Sequence, residues 1–253
     1  HIKVEVKDPV VNPKFASEYT TDDLASNSLI VVCGDRNKVI NYNDMYSSSV
    51  DYNTWQQTTT GFDGEGQITS AIGYVTSEDL PIMYTLSGHG EKDLDSSFKE
   101  DIQKANIDIK ELNLLTEGKV PDDADCLMIV SPTSDISEEE KNMLESYFDN
   151  GGKLLVMAGP VESGNLPNLY SLLSDYGVKS DNGVVVDTDH DHYAFQAPYI
   201  LMPTIESSDI TDPLLDENYY AIVPIARGLE VGNTDKDVNV TSLLTTSDEA
   251  YSK

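Results

Sequence analysis

The hydrophobic pattern is clearest between Pro81 and Pro160, where apolar runs of strand length alternate with segments of helical period. IMYTL (82–86), CLMIVSP (126–132) and KLLVMAG (153–159) open on short continuous apolar runs bounded by turn residues. Such runs are expected of strands buried on both faces of a parallel sheet. Between the first two, Leu94, Phe98, Ile102 and Ala105 recur at helical spacing and predict a helix from about Asp93 to Ala105. IDIKELNL (107–114) reads as a further strand. The segment after Ser137 carries the strongest local signals. Ser137 with Glu140 three residues on makes a capping box, and Glu138 and Glu139 fall in the first turn, where the helix dipole favours acids. Leu144, Tyr147 and Phe148 form the inward face, and Asn150-Gly151-Gly152 supplies a left-handed stop. The alternation predicts an α/β fold, a three-layer sandwich around a mainly parallel sheet.

Outside this run the pattern is weaker. Residues 2–6 (IKVEV) alternate as a short strand, and SLIVVCG (28–34) with KVINY (38–42) reads as a hairpin about Asp35-Arg36-Asn37. Residues 43–67, rich in Tyr, Ser, Thr, Asn and Gln with Trp55 as the large apolar anchor, read as an irregular excursion. Ile68, Ala71, Ile72 and Val75 predict a helix within 64–79. Beyond Pro160, Leu169, Leu172, Leu173 and Tyr176 predict a helix starting after Pro167, and GVVVD (183–187) a strand. Segments 193–205, 220–231 and 238–247 read as strands at the sheet edge, broken by turns. The chain therefore divides into an N-terminal segment, 1–80, packing on the core, and an α/β core, 81–253, with irregular C-terminal edge strands.

Composition narrows the function classes. The 253 residues suffice for one α/β domain with additions or for two domains. Acids outnumber bases 45 to 16, a net charge of −29, along the whole chain and beside an ordinary apolar content of 39%. This is a folded protein with an acidic coat, which repels phosphate backbones and anionic lipid. Nucleic acid is excluded as a partner, and cationic groups are favoured. Cys33 and Cys126 sit in apolar strand-like runs and are expected to be free and buried. No segment has the length of apolar chain needed to cross a bilayer, and no signal peptide is visible. The start in a strand-like run suggests a piece of something longer.

The candidate chemistry gathers at the strand ends. Ser87, Gly88, His89, Gly90 and Glu91 follow the first core strand, where ligands sit in open parallel sheets. Pro132 follows the next strand, and Gly159, Pro160 and Glu162 would form a second wall. The glycine turn is neither GxGxxG nor a phosphate loop, so no cofactor is expected. No GxSxG occurs, and Ser87 with His89 lacks a third catalytic member. Asp187, Asp189 and Asp191, interleaved with His190 and His192, are the densest potential metal ligands, yet they lack the EF-hand glycine and terminal glutamate. Asp63 and Glu65 in FDGEG are a weaker pair. The tyrosines of the 42–55 region are compatible with protein or sugar contact.

Several longer motifs together resemble the extracytoplasmic domain of the GldG family, auxiliary proteins of an uncharacterised class of ABC transport system, some linked to gliding motility. They are VKDPVVNPKF (6–15), GDRNKVINYNDMY (34–46), FDGEGQITSAIGYVTSED (62–79), YTLSGHGEKDL (84–94), ELNLLTEGKVPDDADCLMIVSPTSDISEEE (111–140) and YFDNGGKLLVMAGP (147–160). The resemblance implies a fold similar to flavodoxin-like and class I glutamine amidotransferase-like domains. It also implies the extracytoplasmic side of a bacterial cell membrane, with anchoring through segments outside this sequence. The implied partners are the permease and ATPase of the same system. Active amidotransferase-like relatives place a nucleophilic cysteine at a strand-to-helix elbow, where this chain offers Ser87 or Ser131-Pro132. The leading expectation is a non-enzymatic binding or assembly domain. Its alternatives are a small-molecule or carbohydrate binder at the same sheet edge, or a hydrolase or amidotransferase-like enzyme.

Overall fold

The computed structural model describes residues 1–21, 23–51, 56–161 and 165–253. The chain forms two compact units: residues 1–82 with 94–109, and residues 83–93 with 110–253.

In the first unit, β1 (Leu29–Cys33) and β2 (Arg36–Ile40) form the expected antiparallel hairpin. β3 (Tyr46–Asp51) and β4 (Gln56–Phe62) form a second one, with a register shift between Ser47 and Ser48. This corrects the expectation of an irregular excursion. Apart from the opposed Tyr46 and Phe62, whose rings lie 5.2 Å apart, the two strands are mostly polar in sequence and leave no hydrophobic period to read. Trp55 lies outside the described residues. α1 (Gly64–Thr76) packs on β1 and β2, where Ile40, Met45 and Ala71 form a buried cluster flanked by Leu29 and Val31. The Asp63 carboxylate pairs with Lys104, and Ser70 with Asn106.

Two expectations fail in this unit. Residues 2–6 are not a strand, and Ile2, Val4 and Val6 are exposed: alternation alone supplies no pairing partner. Cys33 is free but exposed, because it ends β1 at the turn; Cys126 is partly buried, and burial pushes its thiol up.

A parallel sheet carries the core. Its strands are β5 (Ile82–Leu86), β6 (Asp108–Leu112), β7 (Cys126–Val130) and β8 (Leu154–Met157), in spatial order β6-β5-β7-β8. β5 with β7 and β7 with β8 pair in parallel, and Ser87 N–H donates to Leu112 C=O at the β5–β6 end. Leu127, Met128 and Ile129 are fully buried, as a central strand covered on both faces requires. The helices between the strands are α2 (Ser96–Lys104), α3 (Leu114–Glu117) and α4 (Glu138–Asp149), and α5 (Pro167–Asp175) follows β8. α4 has the predicted capping box, buries Leu144 and stops at Gly151 with φ 84°. Leu169 and Leu172 anchor α5, whose first turn begins at Pro167.

After α5 the chain makes only short antiparallel ladders. β9 (Val178–Ser180) pairs with β14 (Leu229–Val231), and β10 (Val185–Val186) with β16 (Tyr251–Ser252). β11 (Ile200–Leu201) pairs with β13 (Val223–Pro224), and β12 (Thr204–Ile205) with β15 (Leu244–Thr245). These strands pair with one another and not at the edge of the parallel sheet, contrary to expectation. Prolines and turns keep each ladder too short to extend a sheet.

Candidate functional site

The strand order places a topological switch between β5 and β7, since the chain leaves β5 for β6 and returns across it to β7. At such a point the carboxyl ends of adjacent strands diverge and leave a crevice. Here the two loops that border it, 87–93 and 131–137, are stitched together. His89 C=O accepts from Thr133 N–H and Ser134 N–H, both at 2.9 Å, and Val130 C=O accepts from Lys92 N–H at 2.9 Å. Two glycines make the approach possible. Gly88 has φ 112° and its missing side chain would meet Asn113 Nδ2 at 2.8 Å, while Gly90 has φ 70° and lies against Thr133 Oγ1. Any larger residue would be strained by the left-handed backbone and would also clash.

The His89 ring points inward and is only 5% exposed. Its Nδ1 lies 3.1 Å from Glu91 Oε1 and its Nε2 lies 3.0 Å from Glu140 Oε2. His89 N–H also donates to Glu91 Oε2 at 2.7 Å. Each ring nitrogen therefore faces a carboxylate oxygen at hydrogen-bond distance. Glu140 belongs to the capping box of α4: its Oε2 also accepts from Ser137 N–H at 2.8 Å, and Ser137 Oγ accepts from Glu140 N–H at 3.2 Å. A single buried carboxylate thus joins the helix cap to the glycine turn. Its other oxygen, Oε1, has no hydrogen-bond partner among the described residues. Asp135 extends the same stitching, accepting from Asn168 N–H at 2.7 Å and Leu169 N–H at 3.1 Å at the start of α5.

This arrangement bears directly on catalysis. A general base needs a free lone pair facing its substrate, and both His89 nitrogens are occupied. Ser87 Oγ donates to Leu112 C=O at 3.4 Å. Ser131 takes φ 46° just after β7, the backbone of an elbow nucleophile, but among the described residues no histidine reaches its hydroxyl. Cys126 opens β7 and lies at the opposite end of the sheet.

Of the remaining wall residues, Pro132 is buried, Gly159 and Pro160 are half-buried beyond β8, and Glu162 lies outside the described residues. The surface of the rim consists of Gly88, Gly90, Lys92, Asp93, Thr133 and Ser134. A groove of about 740 Å³ that the sequence did not suggest lies at the other end of the sheet, bordered by Lys119, Pro121, Tyr147, Gly152 and Lys153. Only an exposed glycine-proline loop marked it in the sequence.

The acidic run after β10 is tied up internally. Asp187 is fully buried and accepts from Ser247 Oγ at 2.6 Å, Ser247 N–H at 3.0 Å and Asp189 N–H at 3.1 Å. Burial opposes its charge, but these donors outweigh it and hold the carboxyl below the ordinary range. Asp189 accepts from Asp191 N–H at 3.0 Å and meets His192 Nδ1 at 3.1 Å. Among the described residues no group of three or more such side chains is arranged to hold a metal ion. Asp63, of the weaker pair, faces Lys104 instead.

Fold and rim together define an α/β binding domain whose switch-point crevice is closed by its own loops. The chain belongs to the family described as an ABC-type uncharacterized transport system, whose profile matches residues 69–253. It is an auxiliary domain of such a system, in agreement with the GldG-like motifs. Among solved structures, one titled mmIFT52 N-terminal domain superposes with a TM-score of 0.50 at 18% identity, covering 66% of this chain and 79% of that one. At that identity the likeness concerns the fold alone. No protein of curated function matches the sequence. No described helix is long and apolar enough to cross a membrane.

Proposed function

We propose that this domain works on the extracytoplasmic side of a bacterial membrane as an assembly module, binding the permease of its ABC system through the carboxyl rim of the parallel sheet. Coupling to the ATPase then passes through the permease. The observation that carries this reading is the closed crevice. His89 is held between Glu91 and Glu140, and the backbone of Thr133 and Ser134 bonds across to His89, so the loops at the mouth of the crevice are joined to one another. Small-molecule sites are concave, so a crevice joined across by its own loops suits a macromolecular partner better. The contact residues proposed are Gly88, Gly90, Lys92, Asp93, Thr133 and Ser134, with Ser87, Gly159 and Pro160 half-buried beside them and His89, Glu91 and Pro132 supporting the loops from within. The order β6-β5-β7-β8 supports a relation to flavodoxin-like and amidotransferase-like domains in which the elbow survives without a base.

The test is co-purification of the intact membrane protein with its permease. Asp93→Arg with Ser134→Arg places two bulky cations on the rim without touching a buried side chain. The expected result is loss of the permease from the purified complex with an unchanged melting temperature. Retention of the complex in full would overturn the reading.

A further inference from the structure

We propose that the face built by residues 195–225 is a docking surface for a second polypeptide, one that presents lysine and arginine side chains among apolar ones. The proposal does not depend on the rim contact described above. It starts from Phe195 and Ile225, which combine two unfavourable properties. Both are large apolar residues in water, 79% and 56% exposed, and both have left-handed backbone, φ 55° and 54°. A β-branched residue at positive φ is a genuine outlier, and asparagine or glycine would relieve it. Neither folding nor solubility selects phenylalanine or isoleucine there. Strained residues that persist despite a cheaper alternative mark functional positions.

The two residues flank one ladder. Phe195 lies in the turn that leads into β11, and Ile225 follows β13 and donates its N–H to Tyr199 C=O at 3.0 Å, continuing the register of Ile200 with Pro224. Tyr199 and Ile222, which adjoin the two strands of this ladder, are exposed as well, and Tyr220, two residues before Ile222, is 80% exposed. Large apolar and aromatic side chains exposed together at one ladder end, here the opposed Tyr199 and Ile225, are the kind that mark interaction sites and serve as contact anchors.

Charge selects the occupant. Between Lys179 and Arg227 the sequence has no lysine or arginine, while carboxylates recur from Asp181 to Glu217. The exposed acids Asp191, Asp216 and Glu217 stand within a few residues of Phe195 and Tyr219. A second copy of this chain would set acid against acid, and an anionic membrane would be repelled in the same way. A cationic, apolar polypeptide satisfies both features of the face.

The experiment uses the 253-residue chain and two fluorescent amphipathic peptides, one of leucine and lysine, the other of leucine and glutamate. The leucine–lysine peptide is expected to bind at least about tenfold more tightly than its acidic counterpart, with affinity falling as salt rises. Phe195→Asn with Ile225→Asn is expected to weaken that binding about tenfold while raising the melting temperature, because asparagine relieves both strained positions. Sedimentation of the wild-type chain is expected to show no self-association. Three results would overturn the proposal: equal affinity for the two peptides, unchanged binding by the double variant, or a dimer that the double variant dissolves.

Discussion

Within the candidate site, the residue that decides the reading is His89. Placed beside Ser87 on a glycine turn at a strand end, it has the sequence setting of a catalytic or ligand-facing group. The structure turns the ring inward between Glu91 and Glu140, whose own side chain is 1% exposed. The partner Glu140 lies 51 positions away, so nothing local in the sequence announces the pairing. The two roles separate by stability. His89→Ala leaves two carboxylates facing one another across an emptied buried space, and urea unfolding is expected to show a loss of about 3 kcal/mol. A ligand-facing histidine would cost under about 0.5 kcal/mol, as exposed substitutions do. Asp187 offers a second residue-level check, this time in pH. Its folded carboxyl is held below the unfolded value of about 3.9, so its contribution is fully present above that pH. It is lost as pH falls through the lower, folded value. Asp187→Asn should therefore be less stable than wild type at neutral pH, with the gap closing below about pH 4. A gap that stays constant down to pH 2, as followed by urea unfolding, would contradict the assignment.

At the scale of elements, caps explain why the rim holds its shape. Ser137 and Glu140 close the start of α4, and Asp135, from the same loop, closes the start of α5 across 33 positions of chain. Asp135→Ala removes the acceptor of two amide groups, and thermal or urea unfolding is expected to show a loss of about 1 kcal/mol. No change would mean that water replaces it at no cost. The local signals and the distant ones differ in how readable they are. The capping box, the Gly151 stop, the apolar runs of β5, β7 and β8 and the periodic faces of α4 and α5 depend on neighbours within a few residues, and the sequence carries them openly. β3 and β4 escape because polar strands have no hydrophobic period. IKVEV misleads because an alternating pattern states a capacity to pair and not a partner. Cys33 misleads similarly: an apolar run locates the strand but not how far its final residue emerges.

For the whole molecule, the acidic excess and the α/β alternation point the same way, toward a folded domain that avoids phosphate and favours cationic partners. The parallel sheet, though not its strand order β6-β5-β7-β8, which the sequence pattern leaves unspecified, follows from the alternation of apolar runs with helices. The short ladders after α5 do not, because each rests on a few backbone bonds between distant segments. The closed crevice is equally invisible in sequence, since it depends on two loops meeting 44 residues apart at His89 and Thr133. The proposed function rests on that closure, which presents a rim stitched together by backbone hydrogen bonds as the binding surface.

The most direct measurement is site-specific photo-crosslinking in membranes containing the intact protein and its transport system. A photoreactive residue at Ser134, exposed on the rim, is expected to give an adduct with the permease, and the same residue at Lys119, at the opposite end of the sheet, is expected to give none. Adducts from Lys119 but not from Ser134, or none from either, would contradict a rim-mediated assembly role.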